Sequence, residues 1–109
     1  MNQPTALALH TIDLVALGRQ QPVDTDYLLT RIAAGSLLLL NQRPQHYPQE
    51  QHKVEERIIV LQGRVGIAAG EQKADAAQGQ MIVVPAGLSH AYTEDSDGVV
   101  AVIFGQEQA

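Results

Sequence analysis

A chain of 109 residues has room for one domain around one hydrophobic core. With 45% hydrophobic and 17% charged residues it is composed as a packed globular protein rather than a disordered one. Seven basic residues scattered against twelve acidic ones leave a formal net charge of −5 and no basic patch, which excludes nucleic acid and anionic membranes as expected partners, and the lack of cysteine excludes disulfides, thiolate zinc sites and a cysteine nucleophile.

The opening segment MNQPTALALHTIDL lacks the basic start and long apolar run of a secretory signal. No apolar run approaches the roughly 20 residues that a spanning helix needs, so the expectation is a soluble cytoplasmic protein. Seven short stretches rich in Leu, Ile and Val follow, and each reads as a strand: TIDLVAL (11–17), YLLTRIAA (27–34), SLLLL (36–40), ERIIVL (56–61), VGIAA (65–69), MIVVP (81–85) and VVAVIF (99–104). Gly18, Gly35, Pro44, Pro48, Gly63, Gly70, Gly79, Pro85, Gly87 and Gly98 punctuate them. No segment holds a 3.6-residue apolar period over three turns; Glu71–Ala77 reads as a helical turn or a loop. Gln62-Gly63-Arg64 is expected to be a hairpin joining ERIIVL to VGIAA, with Gly63 supplying a positive φ. Asn41–Gln51 is polar, carries two prolines and should run as a loop or edge strand. Asp97-Gly98 introduces the last strand, and GQEQA looks like a frayed tail. Short strands at this spacing predict a single all-β domain over 1–109, a barrel or sandwich, with its N-terminal strands in 5–40. The SLLLL run reads as a strand buried on both faces, and in a small barrel that outer burial suggests a second subunit.

Polar residues of one parity mark the middle of the chain. If 50–60 is extended, Glu50, His52 and Glu56 share a face with Val54, Ile58 and Val60, which places an ionisable cluster at one end of an aliphatic wall. A buried, unpaired Glu56 would cost several kcal/mol, about as much as any single defect a small domain tolerates, so a cation, a proton or a ligand must compensate it. In GQMIVVPAGLSHAYTE the turn formers Pro85 and Gly87 precede His90, Tyr92 and Glu94, again of one parity.

These two stretches resemble the paired motifs of cupins. The first runs Glu50-Gln51-His52, three residues, Glu56, six residues, Gly63, where the family has His-x-His, three or four residues, Glu, six residues and Gly. The second runs Gly79, five residues, Pro85-Ala86-Gly87, two residues, His90, three residues, Glu94, where the family has Asn at the last position. Fifteen residues separate the motifs, which occupy 50–63 and 79–94. The resemblance implies a double-stranded β-helix, the cupin jelly-roll barrel, commonly dimeric. It also implies, position by position, a metal set of Glu50, His52, Glu56 and His90, with Glu50 standing where the family usually has histidine. Two imidazoles and two carboxylates suit a divalent ion such as Fe, Mn, Ni or Zn.

Around this set, His46 is an alternative fourth ligand, Tyr47 and Tyr92 are core or pocket residues, Glu55 faces outward, and Glu94 and Asp95 belong to the acidic loop before Gly98; His10 stands apart. Three functions are expected of such a chain: a metal-dependent dioxygenase, isomerase or lyase acting on a small polar molecule, a metal-free acid/base isomerase or epimerase, and a non-catalytic small-molecule-binding or sensing module. The homodimer completes the expectation.

Overall fold

A computed structural model describes residues 11–33 and 35–105; His10 and the tail 106–109 lie outside the described residues, as do any strands before residue 11. Helix α1 (Leu14–Arg19) is followed by strands β1 (Tyr27–Ile32), β2 (Gly35–Gln42), β3 (Glu56–Ala69), β4 (Gln72–Ala77), β5 (Met81–Val84), β6 (Ala91–Tyr92) and β7 (Asp97–Gly105). Every pairing between strands is antiparallel, in the order β1-β2-β7-β3-β4, with β5 and β6 also pairing with β3. No helix among the described residues is long and apolar enough to cross a membrane.

The segment read as the strand TIDLVAL is instead α1. Asp13 caps it, its carboxylate accepting from the Ala16 N–H at 3.0 Å. At six residues the helix is too short to display an apolar period. Its last residue, Arg19, donates to Asn41 Oδ1 (2.8 Å), Gln62 Oε1 (3.1 Å) and Asp97 Oδ1 (3.4 Å), and so ties α1 to β2, β3 and β7. Gly18 lies so close to Val99 that a Cβ there would stand 2.5 Å from Val99 Cγ1.

The leucine run forms the inner strand β2 and is buried on both faces from Leu38 to Gln42. Leu38 and Leu40 enter the core, and Leu39 is fully buried on the opposite side. Helix α1 packs against β2 and β7 within the same chain.

Strand β3 organises the barrel. Its first half pairs with β7 on one side and β5 on the other; its second half pairs with β4 and β6. The expected hairpin at Gln62-Gly63-Arg64 does not exist, because β3 runs unbroken through it. Between Val60 and Gln62 the register against β7 slips by one residue, and Gly63 carries φ 77° beside this bulge. The extra residue switches the inward parity: Glu56, Ile58 and Val60 are buried before it, Val65, Ile67 and Ala69 after it. The true hairpin is Ala69–Gln72, turning on Gly70-Glu71 with Gly70 at φ 59°. Glu71–Ala77, read as a helical turn or loop, therefore supplies the turn's end and β4, where Ala76 alone is buried.

The core is aliphatic apart from Tyr47 and Tyr92, whose ring centroids lie 5.4 Å apart. Tyr47 pins the 43–47 loop, its hydroxyl donating to the Arg43 carbonyl at 2.6 Å and accepting from the Arg43 N–H at 3.1 Å.

The two kinds of glycine separate in a stability measurement. At Gly63 a Cβ would meet the Asp97 carbonyl oxygen at 2.2 Å, whereas at Gly70 nothing lies within 4 Å. Gly63→Ala is expected to destabilise the protein by about 3 kcal/mol or more and Gly70→Ala by about 1 kcal/mol, read from urea unfolding.

Candidate metal centre

Backbone pairing brings the two motifs together. Segment 45–52 runs antiparallel to 87–94: Gln45 N–H donates to Glu94 O (3.1 Å), Glu50 and His90 exchange both backbone bonds (2.7 and 2.9 Å), and Gly87 N–H donates to His52 O (2.7 Å). Gly87 adopts φ 83°, which fits its place in the Pro85–Leu88 turn. The expectation of one extended strand from Glu50 to Val60 is corrected here, because the chain bends at Lys53 and Val54 and β3 starts at Glu56. The side chains nevertheless converge, since 50–52 is positioned by its neighbour rather than by continuing β3.

Glu56 opens β3 between Val84 of β5 and Phe104 of β7. Its carboxylate and the His90 imidazole are 5% and 3% exposed and meet at 3.0 Å through Nε2. His90 Nδ1 lies 2.9 Å from the Leu88 carbonyl, an acceptor that obliges Nδ1 to carry a proton. A neutral His90 then presents a lone pair at Nε2, and a carboxylate can approach that lone pair only with a cation, a proton or a metal, between them. His52 Nε2 lies 3.1 Å from Glu50 Oε1 and 3.6 Å from Glu56 Oε1. Ligands about 2.1 Å from a tetrahedral ion stand about 3.4 Å apart, and these contacts bracket that spacing. Ligand atoms of Glu50, His52 and His90 all lie within 4.8 Å of one another.

His46 does not join this group. It is exposed and pairs with Glu94 at 3.1 Å, at the far end of the paired segments. Glu55 faces outward and pairs with Arg57 at 2.7 Å. Asp95, exposed, accepts from the Thr93 hydroxyl, which holds its carboxyl below the usual range.

A cavity of about 620 Å³ opens onto the cluster, a size that suits a small metabolite. Glu50, His52 and Glu56 line it together with Leu40, Tyr92, Phe104 and a loop segment, Asp24–Asp26. Phe104 and the two aspartates were not expected from the sequence. Phe104, the single phenylalanine, takes the His52 ring edge-on at 4.9 Å and fixes its orientation. Asp24, with φ 54°, is the one non-glycine residue of positive φ among those described. It is held by its N–H donating to Asn41 O (3.1 Å) and by Gln42 Nε2 donating to Oδ1 (3.0 Å).

Burial raises the Glu56 carboxyl above its ordinary range, the His90 and His52 imidazoles draw it back down, and the Glu50 carboxylate raises it again. Burial likewise pushes the Tyr92 hydroxyl well above its usual value, with the Glu56, Asp24 and Glu50 carboxylates adding to the effect. The Gln42 side chain, close enough to that hydroxyl to pair with it, opposes the shift, and neither Tyr92 OH nor Gln42 Oε1 has another partner.

The profile of the cupin domain matches residues 38–104, more than half of the chain. The chain belongs to the cupin family. A search of curated proteins found no match. Among solved structures, a cupin-2 domain protein of Shewanella frigidimarina superposes with a TM-score of 0.73 at 17% identity, covering 84% of this chain and 89% of that one. A cupin superfamily protein of Desulfitobacterium hafniense gives 0.73 at 17%, covering 93% and 95%. A hydroquinone 1,2-dioxygenase solved with Cd2+ and 4-hydroxybenzonitrile gives 0.72 at 14%, covering 87% and 72%. At such identities the likeness is one of fold, and this small cupin shares the barrel of all three.

The raised Glu56 carboxyl gives a pH signature. Its contribution to stability is present while it is protonated and is lost as pH rises through the raised value. In chelator-treated protein, Glu56→Gln is expected to lose less stability than the parent as pH rises above the ordinary glutamate range, measured as urea midpoints. Equal losses in the two proteins would contradict the shift.

Proposed function

We propose that this cupin holds a divalent ion at Glu50, His52, Glu56 and His90 and acts on a small polar metabolite in the adjoining cavity. The observation that carries this reading is the 3.0 Å contact between the Glu56 carboxylate and an Nε2 whose lone pair is set by the Leu88 carbonyl. Two acceptors at that distance require a cation, and two further ligand groups, His52 and Glu50, stand within reach of it.

A bound divalent ion supplies Lewis acidity and a second anchor for substrate oxygens. The carboxylates of Glu50 and Glu56 offset its charge, which tempers that acidity relative to a three-histidine site and favours harder ions such as Fe(II) or Mn(II). The chain's own residues provide the rest. Leu88 O sets the His90 tautomer, Phe104 orients His52, and Leu40 with Phe104 gives the cavity an apolar wall. The cadmium-bound dioxygenase of the same fold supports the choice of a metal-dependent reaction on a small organic substrate.

The Glu56–His90 pair also favours a second reading. If a proton rather than a metal lies between them, the pair is a buried acid/base couple of the kind a metal-free isomerase uses.

Metal analysis of protein purified without a histidine tag decides between them. The first reading expects about one Fe, Mn, Ni or Zn per chain, and at least about a hundredfold weaker binding in His52→Ala and in His90→Ala. A parent protein that takes up none of these ions when offered them would overturn it, and turnover surviving exhaustive chelation would establish the second.

A further inference from the structure

The outward side of the sheet β1-β2-β7-β3-β5 is apolar, where a sheet with one face on the core usually turns polar residues to water. Arg57 of β3 has Ile103 beside it on β7 and Val83 on β5. Ile103 in turn stands against Leu37 of β2, and Ile59, two residues along from Arg57, stands against Met81. Val83 and Met81 are 45% and 48% exposed, and so is Ile32 of the edge strand β1 at 47%. Helix α1 lies at the Val99 end of this face, where Gly18 packs, and Leu37, Ile59 and Ile103 stay only half-buried. A contiguous apolar patch of this kind marks an interaction surface.

The charges on the face identify its occupant. Arg57 and Glu55 pair at 2.7 Å amid the patch, each about half exposed. A partner that excludes water here must offer the arginine an acceptor and the glutamate a donor, because charges left unpaired on burial are costly. A purely apolar partner offers neither. A second copy, turned about a two-fold axis through this pair, offers both, since each Arg57 then faces the other's Glu55. Shape agrees with charge. On the β7 side of the pair a hollow of about 260 Å³ lies among Ile32, Ile103, Phe104 and Gly105, and on its β5 side Val83 and Met81 project. The same rotation seats the ridge of one copy over the hollow of the other. The chain carries a net charge of −5, but the Arg57–Glu55 pair is neutral, so self-repulsion is least where it sits.

We propose that two copies of this chain associate face to face through the outward side of β1, β2, β7, β3 and β5 and exchange Arg57–Glu55 pairs across a two-fold axis. Strands about 4.8 Å apart and alternate residues about 7 Å apart give the open part of the face about 400 Å². Two copies then bury about 800 Å² in all, the size of a weak and reversible interface rather than an obligate one. The dissociation constant is accordingly on the order of 1–100 µM.

Sedimentation equilibrium of the full chain between about 1 and 500 µM reads the association. The parent is expected to pass from monomer to dimer over that range. Val83→Glu, at a half-exposed position, is expected to raise the dissociation constant at least about tenfold. Arg57→Glu alone gathers only carboxylates at the axis and Glu55→Arg alone only guanidinium groups, so each is expected to stay monomeric. An equimolar mixture of these two restores both opposite-charge pairs and is expected to dimerise. Thermal melts matching the parent's verify that the variants are folded, and if Val83→Glu fails to fold the charge-swapped mixture decides. A parent that stays monomeric at the top of the range assigns the face to another occupant and overturns the proposal. So does a folded Val83→Glu that associates as tightly as the parent, or a mixture no more associated than its components. None of these outcomes depends on the metal reading, which stands or falls by metal content.

Discussion

The architecture depends on a single extra residue in β3. This strand is long enough to serve both halves of the barrel, and a regular strand would keep one parity facing inward along its whole length. The sequence changes parity halfway: Glu56, Ile58 and Val60 are apt for the interior before Leu61, and Val65, Ile67 and Ala69 after it. The bulge between Val60 and Gln62 reconciles the two sets, and Gly63 makes it possible by tolerating φ 77° where the Asp97 carbonyl leaves no space for a Cβ. Without it, one half of β3 would turn its apolar residues to water, and β4 and β6 would lose the surface on which they pair.

The site inherits its geometry from that arrangement. Glu56 is the first residue of β3 and is flanked by both β5 and β7, so its carboxylate is buried by the same pairing that builds the barrel. His90 reaches it from the segment paired with 45–52, with its ring tautomer set by a carbonyl two residues earlier. A buried carboxylate next to an imidazole lone pair is unstable unless a cation is shared, so the fold builds in a demand for positive charge at this point. Whether a proton or a metal meets that demand separates the two chemical readings of the site. The open side toward Glu50 and His52 favours the metal, since these two add ligand atoms that a shared proton does not use.

The cavity extends this electrostatic logic outward. It is walled by Leu40, Phe104 and Tyr92, and beside Glu50, His52 and Glu56 it meets Asp24, Thr25 and Asp26 on a loop outside the cupin motifs. The similarity to solved structures at 14–17% identity concerns the barrel and leaves this loop to be understood from its own chemistry.

The cupin barrel and the grouping of Glu50, His52, Glu56 and His90 were legible in the sequence through the resemblance to the paired cupin motifs, whose glycine, proline and polar positions keep fixed spacings. Other features were not local. The helix Leu14–Arg19 is too short to show a period, and β4, an edge strand with Ala76 as its sole buried residue, shows no apolar alternation. Gly63 reads alike as a turn or a bulge, since both need a positive φ, and only its pairing with Gly98 distinguishes them. The leucines of 37–40 announced two-sided burial but not that α1 would pack against β2 and β7. His46 and Glu50 share a parity, yet pairing between distant segments placed Glu50 beside His52 and His46 against exposed Glu94. In the same way Asp24, Asp26 and Phe104, far apart in the chain, meet the motif residues only in the folded barrel. The sequence by itself determined which residues could share a charge-bearing site; tertiary packing decided what surrounds that site, because cavity walls are contacts between segments whose separation along the chain carries no periodic signal.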